Sequence, residues 1–261
     1  MAKLILILSM SFFVIFPLTV YAKLQLFMAG DSTMAIKDPK DYPETGWGVP
    51  FATFFSDNLE VINLAKNGRS TRTFIEEGLW ENVQNQAKRK DFLIIQFGHN
   101  DESVAKKDRF TTPQEYKTNL RNMVTFALER KMSVILMTPV TRRYFDEAGA
   151  IKETHAYSQY VRELVESYKN LDKSDFLFID MDEITRRYFQ AQGEIPSQLR
   201  FMYIKPDTHP NYPYGVKDNT HFNELGAREV AQLVLTELKT VRHPLSSLLR
   251  DVDPKHIKLS Y

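Results

Sequence analysis

The sequence predicts an α/β fold in which a parallel sheet is covered by helices on both faces. Two patterns carry that expectation. Short apolar runs rich in β-branched and aromatic residues recur at Leu24 to Ala29, Val61 to Ala65, Phe92 to Phe97, Val134 to Thr138 and Phe176 to Ile179. Amphipathic helical patterns lie between them, and strands alternating with helices imply parallel pairing through crossovers. A strand that is apolar at consecutive positions has both faces covered, which a layer of helices on each side provides.

After the second run, a helix is expected over Phe74 to Ala87, with Thr73 and Glu76 in capping positions. The helix at Pro113 to Arg130 is marked more fully. Thr112 stands as N-cap, Pro113 in the first turn and Glu115 in the capping box, and Tyr116, Leu120, Met123, Val124 and Ala127 share one face. Further helices are expected at Ala156 to Asn170, Glu183 to Gln192 and Glu224 to Val241. Gly193 to Asn219 reads as a long irregular stretch, since Pro196, Pro206, Pro210 and Pro213 alternate with Tyr203, Tyr212, Tyr214 and Gly215. The tail after His243 reads as a short helix followed by an extended end. No internal repeat, low-complexity tract or Gly/Ser linker interrupts 23–261, so one domain is expected there.

Composition narrows the class. The chain has 261 residues, a formal net charge of +1, 43% hydrophobic and 26% charged residues, as an ordinary globular protein does. No dense Lys/Arg run appears, so nucleic acid is not an expected partner. There is no cysteine, which excludes disulfides, thiolate metal sites, iron–sulfur clusters, cysteine nucleophiles and a cysteine-linked lipid anchor. Residues 1–22 differ from the rest: Lys3, the apolar run Leu4 to Val20, then Ala22. This is a signal-peptide pattern. An uncleaved anchor would need a similar apolar length, but the break at Pro17 and the small residue Ala22 favour cleavage. The expected product is exported to the periplasm or the medium, is free of the membrane, and carries no net formal charge once Lys3 is removed.

In an open parallel sheet, ligands bind beyond the carboxyl ends of the strands. The residues that follow the first three runs are Gly30-Asp31-Ser32-Thr33, Asn67-Gly68-Arg69-Ser70 and Gly98-His99-Asn100-Asp101, and Asp218-Asn219-Thr220-His221 precedes the last helix. Each has a structural explanation when taken singly: a helix cap, a turn glycine, a left-handed or capping asparagine, a loop pair. Together they supply a serine, an imidazole base, a carboxylate to orient it and amide donors for an oxyanion, which is what acyl transfer requires.

The same blocks resemble the SGNH (GDSL) hydrolase superfamily, and within it the rhamnogalacturonan acetylesterase-like family. The resemblance rests on Gly30-Asp31-Ser32-Thr33-Met34, on Asn63-x-Ala65-x-Asn67-Gly68-Arg69-Ser70-x-Arg72-x-Phe74, and on Ile95-Gln96-Phe97-Gly98-His99-Asn100-Asp101. Thr138-Pro139-Val140-x-Arg142-Arg143-x-Phe145 and Asp218-x-Thr220-His221-Phe222 complete it. It implies a three-layer α/β/α sandwich of flavodoxin-like type, with Ser32 as nucleophile, His221 as general base and Asp218 as its orienting acid. The implied oxyanion donors are the Ser32 and Gly68 amides and the Asn100 side chain. No Gly-x-Ser-x-Gly elbow is present, so the larger α/β-hydrolase fold is not expected.

Other residues are weaker candidates. His99 could touch substrate or only support its loop. His209 with Asp207 gives two potential metal ligands without a third, so no metal is expected. Arg69, Arg72, Arg142 and Arg143 could meet uronate carboxylates through bidentate pairing, or form salt bridges within the protein. Tyr203, Tyr212 and Tyr214 could stack on sugar rings or pack their own loop. The resemblance therefore implies an exported carbohydrate esterase, without cofactor or metal, that removes acetyl groups from a pectic polysaccharide such as rhamnogalacturonan. An acetylesterase acting on xylan or oligosaccharides is the nearest alternative. A non-catalytic carbohydrate-binding protein on the same fold is the alternative of another class.

Overall fold

The computed structural model describes residues 23–251, so the expected signal peptide lies outside the described residues. Side chains alternate along the first strand, β1 (Leu24–Gly30). Leu26 and Met28 enter one apolar cluster, Phe27 and Ala29 the other, and all four are fully buried. The strands β2 (Leu59–Asn63), β3 (Phe92–Gln96), β4 (Ser133–Met137) and β5 (Phe176–Ile179) complete a parallel sheet in the order β2-β1-β3-β4-β5.

Helices cover both faces of that sheet. Against Leu26, Met28, Ile94 and Ile135 lies α1 (Gly48–Thr53), through Phe51. The opposite face carries α2 (Thr71–Glu76), α3 (Leu79–Gln86), α4 (Pro113–Glu129) and α5 (Ala156–Val165), with Phe74, Val83, Leu120, Met123 and Val161 buried against Leu93, Ile95 and Val134. The chain then returns to the first face. There α6 (Met181–Gln192) and the single turn α7 (Glu194–Ser197) precede an antiparallel pair, β6 (Phe201–Ile204) and β7 (Val216–Phe222), and α8 (Glu224–Thr240) closes the layer. Phe189 of α6, Phe201 and Phe222 stack with ring centroids 4.8–6.0 Å apart, which fastens the hairpin to the core.

This is the three-layer α/β/α sandwich expected from the sequence. Since β2 and β3 flank β1, the chain leaves β1 over one face and β2 over the other. The crevice at that reversal opens above the carboxyl ends of β1 and β3.

Three local expectations are corrected. The helix expected over Phe74 to Ala87 is two helices, broken by Gly78 at φ +74°. Ser70, rather than Thr73, caps the first of them, and Thr73 supplies the reciprocal capping-box bond. The helix expected to reach Asn170 ends at Val165 and tightens into a 3₁₀ turn over Glu166–Tyr168. The stretch Gly193 to Asn219 is largely ordered into α7 and the two strands, leaving 205–215 as the loop. Its prolines sit outside the strands, at α7 and in that loop, where no ladder hydrogen bond is lost.

Candidate active site

Ser32 follows β1 on a tight turn. The Asp31 carbonyl accepts from the amides of Met34 and Ala35, and Asp31 Oδ1 accepts from the Thr33 amide (2.9 Å) and hydroxyl (2.8 Å). Asp31 is fully buried, and its Oδ2 lies 3.0 Å from His99 Nδ1. Burial alone would raise its pKa, but the His99 ring and the Thr33 bonds outweigh this and hold it at about 2. The turn therefore presents Ser32 on rigid backbone at the crevice floor, with 8% of its surface exposed.

Asp218 and His221 come from β7, not from the loop before the last helix. Phe201 pairs with Phe222 and Tyr203 with Lys217, so 218–221 bulge opposite the single residue Met202. A bulge re-aims side chains that strict alternation would separate. Here Asp218 Oδ1 accepts from the amides of Thr220 (2.6 Å) and His221 (3.1 Å), and Oδ2 meets His221 Nδ1 at 2.7 Å. His221 Nε2 in turn lies 2.9 Å from Ser32 Oγ. A carboxylate only accepts, so Nδ1 carries the ring hydrogen and Nε2 is left to accept from the serine hydroxyl. Partial burial raises the Asp218 pKa, but the hydrogen bond and charge of His221 and the two backbone amides bring it down to about 2.

The donors are arranged around the same crevice. Gly68 adopts φ +76°, a left-handed conformation suited to glycine. Among the described residues, neither the Ser32 amide nor the Gly68 amide donates to a protein acceptor. Asn100 spends one Nδ2 hydrogen on the Arg69 carbonyl (2.9 Å) and retains the other. Asp101 ties the two loops together, since its Oδ1 accepts from the amide (2.9 Å) and hydroxyl (2.6 Å) of Thr71. Burial pushes the Asp101 carboxyl up to about 7 against those bonds.

The remaining candidates are placed as follows. His99 is buried on Asp31, with its ring 4.4 Å from that of His155, so it supports the turn that carries Ser32. Arg69 is held by Glu77 Oε2 and the Asn67 carbonyl, and Arg72 by Glu76 and the Lys107 carbonyl. Arg142 pairs with Glu102, while Arg143 donates to the Glu194 carbonyl and the Tyr203 hydroxyl. Tyr203 donates to Asn219 Oδ1 at 2.5 Å and so braces the bulge from behind. Tyr212 donates to the Asp41 carbonyl at 2.7 Å, clasping the 205–215 loop to the segment after Ser32, whereas Tyr214 is 93% exposed.

Sequence reasoning missed two residues. Lys37, its side chain 5% exposed, bonds Glu44 Oε1 (2.6 Å) and Asn67 Oδ1 (2.8 Å). The backbone of Glu44 bridges to Asn223, just after β7, so the ion pair and this bridge join the segment after Ser32 to the Gly68 loop and to the end of the strand that carries His221. Burial lowers the Lys37 pKa, with Glu44 opposing. Arg109 lies against Gly68 and Asn100. Lys37 carries no pattern that would single it out. Arg109 stands in the segment after the Asn100 block, where its position was the one available signal.

The family model described as GDSL-like lipase/acylhydrolase matches residues 26–234. The chain is 37% identical over 226 residues, 87% of its length and 94% of the relative's, to "Rhamnogalacturonan acetylesterase RhgT" of Bacillus subtilis (strain 168). It is 29% identical, over 85% of its length and 95% of the relative's, to that organism's "Probable rhamnogalacturonan acetylesterase YesY". Among solved structures, the Bacillus subtilis protein YxiM superposes with a TM-score of 0.69 at 25% identity over 84% of this chain, which spans 57% of that longer one. An acetylxylan esterase from Geobacillus stearothermophilus shares the fold, with a TM-score of 0.57 at 18% identity over 88% of this chain and 97% of that one. On the strength of the family match and the 37% identity, the chain belongs to the GDSL-like lipase/acylhydrolase family of serine ester hydrolases.

Proposed function

We propose that the chain is an exported carbohydrate acetylesterase that deacetylates rhamnogalacturonan, with Ser32 as nucleophile, His221 as base and Asp218 as its orienting acid. The observation that carries this reading is the continuous Asp218–His221–Ser32 contact, at 2.7 and 2.9 Å, beside two unengaged amides and the free hydrogen of Asn100.

His221 Nε2 takes the Ser32 proton as Oγ bonds to the acetyl carbonyl carbon. The oxyanion so formed accepts from the Ser32 and Gly68 amides and from Asn100 Nδ2. Collapse breaks the bond to the sugar oxygen, which leaves with the proton from His221. Water then attacks the acetyl-serine by the same route, releasing acetate and restoring Ser32. Neither half-reaction consumes a cofactor.

The similarity to rhamnogalacturonan acetylesterases supports the polymer, and the apolar segment at 1–22 supports export. Tyr214 faces solvent on the loop that Tyr212 clasps to the segment after Ser32, and its exposed ring is the surface on which a flanking sugar could stack. Acetate release from a panel of acetylated rhamnogalacturonan, homogalacturonan and xylan tests the substrate. The reading requires the highest specificity constant on rhamnogalacturonan; a preference for xylan would replace it. Tyr214→Ala should lower turnover of the polymer by about 10-fold, roughly 1.4 kcal/mol, and leave 4-nitrophenyl acetate hydrolysis unchanged. The double change with Tyr212→Ala also loosens the clasp and should cost more on the polymer.

A further inference from the structure

We propose that Arg109 determines specificity by binding a carboxylate on the sugar that bears or flanks the acetyl ester. This rests on the acetylesterase reading above and names the acidic sugar as the group the site selects.

Position is the first argument. A Cβ added to Gly68 would lie 2.9 Å from Arg109 Nη1, and the same nitrogen lies 3.4 Å from Asn100 Oδ1. The guanidinium therefore borders two of the three residues assigned to the oxyanion. Availability is the second. The Arg109 side chain is 27% exposed, and its acidic partner is the adjacent Asp108, which is 69% exposed and 3.2–3.3 Å away. An exposed pair between chain neighbours is weakly held and screened by water, so a substrate carboxylate can replace Asp108. Elimination is the third. Arg69 is spent on Glu77, Arg72 on Glu76 and the Lys107 carbonyl, and Arg142 on Glu102, which is itself mostly buried. Arg143 is 3% exposed, with backbone, serine and tyrosine partners. A guanidinium presents a planar fork that matches a carboxylate, a match that an ammonium or an amide does not reproduce.

Because Arg109 also touches Asn100, its loss should slow hydrolysis of every ester to some extent. The carboxylate-specific part appears as a ratio. Acetate release is measured on acetylated rhamnogalacturonan with free carboxyls, on the same polymer methyl-esterified at its carboxyls, and on 4-nitrophenyl acetate, for the wild type, Arg109→Gln and Arg109→Lys. The wild type should prefer the free acid by about 10-fold or more, as expected for one charged hydrogen-bonded pair. Arg109→Gln should abolish that preference, with equal losses on the methyl-esterified polymer and on 4-nitrophenyl acetate, and Arg109→Lys should retain part of it. An absent wild-type preference, or a preference that survives Arg109→Gln, overturns the proposal and leaves Arg109 as a support for Asn100. Wild-type turnover of 4-nitrophenyl acetate without acetate release from either polymer overturns the pectic reading, and this inference with it.

Discussion

Replacing Asp218 with asparagine isolates what the carboxylate does, because the surrounding backbone decides how the new amide must point. The amides of Thr220 and His221 both donate to Oδ1, at 2.6 and 3.1 Å. An asparagine keeps those two bonds only by placing its oxygen there, which turns its NH₂ group toward His221 Nδ1. The ring must then accept at Nδ1 and carry its hydrogen on Nε2, so a donor faces Ser32 Oγ where an acceptor is needed. The fold should survive, since both backbone bonds and the 2.7 Å contact are kept in reversed sense. Catalysis should not. Misassignment of the tautomer in such a triad costs about 10⁴ in kcat, or roughly 5 kcal/mol of barrier, while KM is little changed. Initial rates on 4-nitrophenyl acetate near neutral pH, beside thermal unfolding of both proteins, measure this. A variant that folds normally and keeps more than a tenth of the wild-type kcat would refute the reasoning, because His221 would then need no carboxylate to set its tautomer.

On the proposed mechanism Asn100→Ala removes one oxyanion donor and should lower kcat by about 10²- to 10³-fold with KM nearly constant, read on the same ester. Gly68→Ala should reduce stability and, through the strained amide, kcat: a side chain at φ +76° is strained by about 1 kcal/mol, and its Cβ, 2.9 Å from Arg109 Nη1, pushes that guanidinium aside. Asp31 and Asp218 both have folded pKa values of about 2, below their ordinary value of 3.8. The stability they contribute is complete above about pH 4 and is lost as pH falls toward about 2. Chemical unfolding across that window should show the loss, and Asp218→Asn should flatten the curve.

Legibility in the sequence followed how local each feature was. The parallel strands were readable because both faces are buried, which leaves continuous apolar runs such as Phe92 to Ile95. Ser32, Gly68 and Asn100 were readable because strand ends in such a sheet converge on one crevice. The split at Gly78 was less visible, because a lone glycine inside a helical pattern is compatible with either outcome until the chain commits it to positive φ. The hairpin at β6 and β7 was hidden by its prolines and by the bulge at 218–221, which erases the alternation that marks a strand. The roles of Lys37 and Arg109 depend on contacts between different loops, Lys37 to Asn67 and Arg109 to Gly68, and no local pattern encodes those pairings.

The claim on which the rest depends is that His221 makes Ser32 the nucleophile, and covalent trapping tests it most directly. The purified protein is treated with a serine-directed organophosphonate ester, and the adduct is located by intact mass and peptide mapping, with Ser32→Ala and His221→Ala in parallel. The account predicts one adduct on the peptide containing Ser32, none in Ser32→Ala, and labelling slowed by orders of magnitude in His221→Ala, with loss of ester hydrolysis in step. An adduct on another residue, or a Ser32→Ala variant that still turns over the ester at near wild-type rate, would contradict it.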